Sequence, residues 1–146
     1  MSINFVKKLP TEEELKAALP LSDELKAIKE SRDEEIKKVF SGESDKFIFV
    51  IGPCSADSEE PVMDYIHRLK KIQDVVKDKI LIIPRIYTGK PRTTGAGYKG
   101  MIHQPDPSKE TDMAEGLMAI RKLHLRAIAE TGMAAADEML YAENTH

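Results

Sequence analysis

With 146 residues, 41% of them hydrophobic and 32% charged, the chain has the length and balance of one soluble, core-bearing domain. A net charge of −3, no Trp, four Phe and four Tyr argue against a nucleic-acid or membrane surface, so any anion site has to be local. No apolar run approaches a membrane span, and "MSINFVKKLP" lacks the apolar block of a secretory signal; a single Cys excludes an internal disulfide framework and suits a reducing, cytoplasmic location.

Residues 1–44 are polar and helix-prone. In "LPTEEELKAALP", Thr11 with Glu14 three positions on is a capping-box pattern that starts a first helix. "LSDELKAIKESRDEEIKKVFSG" starts a second at Ser22, with Leu25, Ile28, Ile36 and Phe40 as a sparse apolar stripe and Gly42 as its stop. Helices so thinly apolar are expected to lie as an extension on a main body or a partner subunit. "INFVKK" near the start has the look of an intersubunit strand.

The texture changes near residue 45. "FIFVIG" is a continuous apolar run of β-formers, expected to be a strand buried on both faces. After the turn "GPCSADSEEP", Val62, Ile66, Leu69, Ile72 and Val76 recur at helical spacing, and "ILIIPRIY" follows as a second strand. A long loop spans 88–111. A helix then begins at Asp112, carries Met113, Leu117, Ile120, Leu123 and Ile128, and stops at Gly132, before a third strand in "MAAADEML".

Strand, helix, strand, helix, strand predicts a parallel α/β sheet with right-handed crossovers. Three strands are fewer than a (β/α)8 barrel of roughly 250 residues requires, and an open sheet flanked by these helices would also want more strands. On this reading, residues 1–44 are the helical extension, 45–146 are the α/β portion, and the chain is the front part of a longer protein. The polar residues cluster just after the strands, where parallel α/β folds bind ligands: Cys54 after the first, Arg85 and Lys90 at the second, Glu138 in the third. The loop segment "KPRTTGAGYKG" combines Lys90, Arg92 and Lys99 with Pro, Thr and Gly. Pro and Gly disfavour a helix there, and a core strand would bury the charges, which leaves a loop wrapped around something anionic.

The segments "IGPCS" (51–55), "PRIYTGKPRTT" (84–94), "GYKG" (97–100) and "DEML" (137–140), in this order, resemble the type I 3-deoxy-D-arabino-heptulosonate-7-phosphate (DAHP) synthases. The resemblance covers about two thirds of the chain, and the joint occurrence of "GPCS" and "KPRTT" is what makes it specific. It implies a (β/α)8 TIM barrel behind an extension, incomplete here because residues 45–146 supply only its first three βα units, and an enzyme that condenses phosphoenolpyruvate with erythrose 4-phosphate on a divalent metal (Mn, Fe, Co or Zn) and releases phosphate.

Carried over residue by residue, Cys54 matches a metal ligand, a role suited to a thiolate beside a borderline divalent ion. Its bland alternative is a buried free thiol. Arg85 matches a contact to phosphoenolpyruvate, against the alternative of a structural salt bridge. Lys90 matches a catalytic lysine between the two substrates. Pro91, Arg92 and Thr93 match the erythrose 4-phosphate segment, with Arg92 as a guanidinium fork for phosphate. Lys99 either assists with phosphate or closes the loop, and Glu138 matches a catalytic carboxylate near the lysine. His67, His103 and His124 read as surface or helix-face residues, with His103 singled out by its place in the loop.

The resemblance further implies an aromatic amino-acid effector and a homo-oligomer, dimer or tetramer, with no nucleic-acid or membrane partner. Two rivals remain at this point. One is the related 8-phosphate synthase of lipopolysaccharide sugar synthesis, which the "KPRTT" segment and the extension count against. The other is a non-catalytic fragment that keeps only effector binding or oligomerisation.

Overall fold

The computed structural model describes residues 7–90 and 97–138. Helix α1 (Glu12–Ala18) opens with the expected capping box: the Glu14 N–H donates to Thr11 Oγ1 at 3.2 Å, and the Thr11 N–H donates back to Glu14 Oε2 at 2.8 Å. Helix α2 (Asp23–Phe40) starts at Ser22, whose Oγ accepts from the Leu25 N–H. Neither helix has a fully buried residue. Both lie against a later helix, α4 (Met113–Thr131). Two arginines tie them down: Arg121 Nε donates to Leu19 O at 2.7 Å and Arg32 Nε to Gly132 O at 3.3 Å. Phe40 departs from the expected stripe. It is 82% exposed, and its neighbour Val39 takes the half-buried position in the last turn of α2.

Strands β1 (Phe47–Ile51), β2 (Ile80–Ile86) and β3 (Ala136–Asp137) form a parallel sheet in the order β1-β2-β3. Phe47 pairs with Ile80, Ile51 with Pro84 and Arg85 with Ala136. Helices α3 (Glu59–Val76) and α4 make the connections, so the alternation read from the sequence stands as parallel βα units. The core lies between sheet and helices. Met63, Ile66, Ile86, Met101, Leu123 and Ala127 form one cluster, and Leu69, Ile82 and Met133 a second. Each large aliphatic side chain so buried contributes about 1.5–3 kcal/mol relative to exposure. Across the surface of the pair, Arg126 of α4 bridges Glu59 and Glu60 of α3 and Glu130 of its own helix. Helix α4 begins with Asp112 Oδ1 accepting from the Ala114 and Glu115 N–H groups, and ends at Gly132 in the left-handed region with φ 67°. Among the described residues, no helix is long and apolar enough to cross a membrane.

Two expectations about burial are corrected. β1 is not buried on both faces. Phe47 is 67% exposed, and Phe49 and Val50 are exposed as well, because β1 is the edge of the described sheet and no described element covers these side chains. On α3 the buried row runs Val62, Ile66, Leu69 and Gln73, which places Ile72 one step round the helix and in solvent.

Gln73 takes the core position for a polar reason. The N–H and C=O of Ile80 and Ile82 point away from β1, and β3 pairs only further along, at Arg85 and Ile86. The Gln73 amide fills that gap, donating Nε2–H to Ile80 O at 2.9 Å and accepting the Ile82 N–H on Oε1 at 2.6 Å. Gln73→Leu is expected to destabilise the fold by about 2–3 kcal/mol in urea unfolding despite its better hydropathy, since two buried backbone groups lose their partner. A neutral result would mean those groups find other partners.

Candidate active site

The carboxyl ends of β1, β2 and β3 bring Cys54, Arg85, Lys90 and Glu138 together. Arg85, next to last in β2, places its guanidinium across all three. Its Nη1 donates to Glu138 Oε2 at 2.5 Å, just past β3. Its Nη2 donates to Pro53 O at 2.9 Å and Gly52 O at 3.2 Å, in the turn that leaves β1. The guanidinium also stands 5.4 Å from the centroid of the Tyr87 ring. A charge at the end of an apolar strand is tolerable only with such pairing. The arrangement holds the "GPCS" turn against the β2 end, so the structural role weighed for Arg85 is present in the geometry.

Cys54, carried by that turn, is an exposed free thiol rather than a buried one. Lys90 Nζ donates to Cys54 Sγ at 3.2 Å. Beside it, Ser55 Oγ is buried and has no hydrogen-bond partner among the described residues. The loop that carries Lys90 is closed at its base by two backbone bonds, from the Lys90 N–H to Lys99 O at 2.9 Å and from the Ile102 N–H to Thr88 O at 3.1 Å. The Tyr98 hydroxyl donates to Ala56 O, tying the loop to the Cys54 turn. Lys99 therefore closes the loop through its backbone, and it is an exposed residue. Pro91, Arg92 and Thr93 lie outside the described residues.

Sequence reasoning missed Asp137, the residue before Glu138. Its carboxylate is largely buried and accepts the Thr88 N–H on Oδ1 at 3.1 Å, the Glu138 N–H on the same oxygen at 2.7 Å, and the Thr88 hydroxyl on Oδ2. His124 Nε2, from α4, stands 4.0 Å from Oδ2. Burial pushes the Asp137 carboxyl upward, but His124, Thr88 and the backbone donors together hold it below the usual carboxylate range. The signal in the sequence is only an acidic residue in a short strand, and nothing local names its partners. Of the other histidines, His67 pairs with Glu130 Oε2 at 2.8 Å on the surface. His103 is partly buried, and burial, with Lys99 adding to it, lowers its pKa.

A groove of about 710 Å³ runs between α1, the start of α2 and α4, lined by Leu15, Leu21, Leu117, Ile120 and Ile128 among others. None of the predicted site residues among those described lines it. It meets the Asp137 network only at His124.

Parallel βα units that gather a guanidinium, an ammonium, a thiol and carboxylates at one set of strand ends define an α/β protein of the kind that handles small ligands there. Residues 20–145 match the model of the DAHP synthetase I family, and the chain belongs to that family. It is 38% identical over 126 residues to the tyrosine-inhibited phospho-2-dehydro-3-deoxyheptonate aldolase of Candida albicans, covering 82% of this chain and 34% of that protein. To the Tyr-sensitive aldolase of Escherichia coli K12 it is 38% identical over 133 residues, or 90% of this chain and 36% of the relative. The structure superposes on that of phospho-2-dehydro-3-deoxyheptonate aldolase from Francisella tularensis with a TM-score of 0.82 and 32% identity, over 95% of this chain and 40% of that one. The chain thus spans about a third of the length of these curated relatives.

Proposed function

We propose that the full-length protein carrying this chain is a DAHP synthase, joining phosphoenolpyruvate to erythrose 4-phosphate with release of phosphate in the first step of aromatic biosynthesis. The observation that carries this reading is the Lys90 ammonium 3.2 Å from Cys54 Sγ, two residues brought together from different βα units at the strand ends. The family match over residues 20–145 supports it independently.

In this reading β1, β2 and β3 are the first strands of a (β/α)8 barrel, residues 1–44 are its extension and 45–146 belong to its catalytic unit. Arg85, already braced by Glu138 and two carbonyls, presents a fixed positive group to the phosphoenolpyruvate anion. Lys90 lies between the two substrates, neutralises charge as they approach, and is placed to deliver a proton to the oxygen of the attacked aldehyde. Pro91, Arg92 and Thr93 hold erythrose 4-phosphate, with Lys99 at the closed base of the loop. Glu138 keeps Arg85 oriented and supplies a carboxylate next to the reacting groups.

Cys54 is exposed at a strand end and suits one position of a divalent metal site for Mn, Fe, Co or Zn. No cluster of three His, Cys, Asp or Glu side chains that could hold an ion exists among the described residues. The ion, when bound, supplies Lewis-acid polarisation of a substrate oxygen.

The relatives are named as tyrosine-inhibited, Tyr-sensitive and Phe-sensitive, which supports an aromatic amino acid as effector here. A cytoplasmic homo-oligomer, dimer or tetramer, completes the reading. The test is phosphate release by the full-length protein given both substrates and Mn²⁺. Turnover is expected, abolished by chelation and absent from the 146-residue chain alone. A full-length protein that releases no phosphate with any of the four metals overturns the assignment.

A further inference from the structure

We infer that Asp137 is a positioning residue for the reaction, a single carboxylate that sets both the root of the Lys90 loop and the backbone of Glu138. The inference rests on the proposed synthase reading. It goes beyond it, because the residues credited with contacting substrate do not include Asp137, Thr88 or His124.

Thr88 is the last buried residue before the loop. It follows β2, is buried, and lies two residues ahead of Lys90. Its N–H and its hydroxyl both donate to Asp137, while its carbonyl accepts the Ile102 N–H from the returning leg. A threonine held at three polar atoms cannot rotate without breaking one of them, so the direction in which the chain enters the loop is set there. The same Asp137 oxygen that takes the Thr88 N–H also takes the Glu138 N–H, at 2.7 Å. Glu138 is the partner of Arg85. One carboxylate, 49 residues away from Thr88 in the chain, therefore fixes the spacing between the loop that carries Lys90 and the strand end that orients Arg85.

The geometry makes unequal demands on the two substrates. Arg85 retains its bonds to the Gly52 and Pro53 carbonyls whatever happens at Asp137. The Lys90 loop keeps the Ala56 N–H to Tyr87 O bond at 2.8 Å and the Lys90 N–H to Lys99 O bond across its base, but it loses both bonds that hold the Thr88 N–H and hydroxyl. Loss of the Asp137 carboxylate should therefore loosen the binding of the substrate assigned to the loop, erythrose 4-phosphate, much more than that of phosphoenolpyruvate. Asparagine is the informative replacement. Its carbonyl oxygen accepts the two backbone N–H groups as the native Oδ1 does, and its amide donates to the Thr88 hydroxyl, which reverses that bond without removing it.

The experiment uses the full-length protein and begins with the wild type, so that an inactive wild type counts against the synthase reading and not against this one. Asp137→Ala is expected to raise KM for erythrose 4-phosphate about tenfold or more while KM for phosphoenolpyruvate moves less than about threefold, and Asp137→Asn is expected to return to within about threefold of wild type. A role confined to stability would lower the amount of active enzyme and leave both KM values in place. Should Asp137→Ala not fold, Thr88→Val against Thr88→Ser carries the same comparison, with the valine raising KM for erythrose 4-phosphate and the serine restoring it. An unchanged KM for erythrose 4-phosphate, an equal rise for both substrates, or an asparagine or serine variant no better than its apolar counterpart overturns the inference.

Discussion

Lys90→Met in the full-length protein is expected to lower kcat/KM about a thousandfold, the upper end of what one preorganised charge contributes to a polar transition state. Methionine keeps the unbranched stem and removes only the ammonium. The fold should be indifferent, because Lys90 is in a loop and its side-chain hydrogen bond among the described residues is to the Cys54 sulfur. Two phosphorylated substrates brought face to face repel each other, and a cation held between them offsets that repulsion most strongly as the new bond forms. The loss should therefore fall mainly on kcat, with the melting temperature unchanged. Steady-state kinetics beside a thermal melt decides it. A reduction of less than about tenfold would remove Lys90 from the chemistry and leave it a surface charge.

Gly52→Ala is expected to be the most damaging single methyl in the described structure, costing about 4 kcal/mol or more. A Cβ on Gly52 would stand 1.7 Å from the Arg85 carbonyl oxygen and 2.7 Å from its carbon. Both are backbone atoms of a strand in register with β1, so neither can swing aside as a side-chain tip would. Relief requires β1 and β2 to separate at the very end where Arg85 grips the Gly52 and Pro53 carbonyls. The damage should therefore reach both stability and the site. The matched control is Gly89→Ala, whose Cβ would meet only Ile102 Cγ2 at 3.7 Å, an ordinary contact. Soluble yield and thermal unfolding of the two variants test the contrast. A fall in melting temperature of under about 5 °C for Gly52→Ala would refute the steric account.

Much of the candidate site is legible in the amino-acid sequence. "GPCS" and "PRIYTGKPRTT" name Cys54, Arg85 and Lys90, and the alternation of elements places them at strand ends, where they are found. The burial of β1 is not legible in the same way, because an apolar run records what a strand can bury and not what lies over it; Phe47 and Phe49 are exposed with no described layer above them. Ile72 and Gln73 mislead for a related reason. Helical periodicity favours the apolar residue for the core, yet two unpaired backbone groups on β2 call for an amide. Asp137 escapes notice because its three donors come from the adjoining residue and from a loop root far along the chain.

The sequence by itself determined the local structure: the capping box at Thr11, the αL stop at Gly132, the periods of α3 and α4, and the residue types able to bind anions and a metal. Signals of this kind act between residues within a turn or two of each other, so they can be read along a single stretch. Only the tertiary structure decided partnership. Strand register put Glu138 beside Arg85 across 53 residues and Asp137 beside Thr88 across 49, and no local preference encodes such a pairing. It arises because three parallel strands end at the same level, and a buried charge there must take whichever donor or acceptor the neighbouring strand supplies.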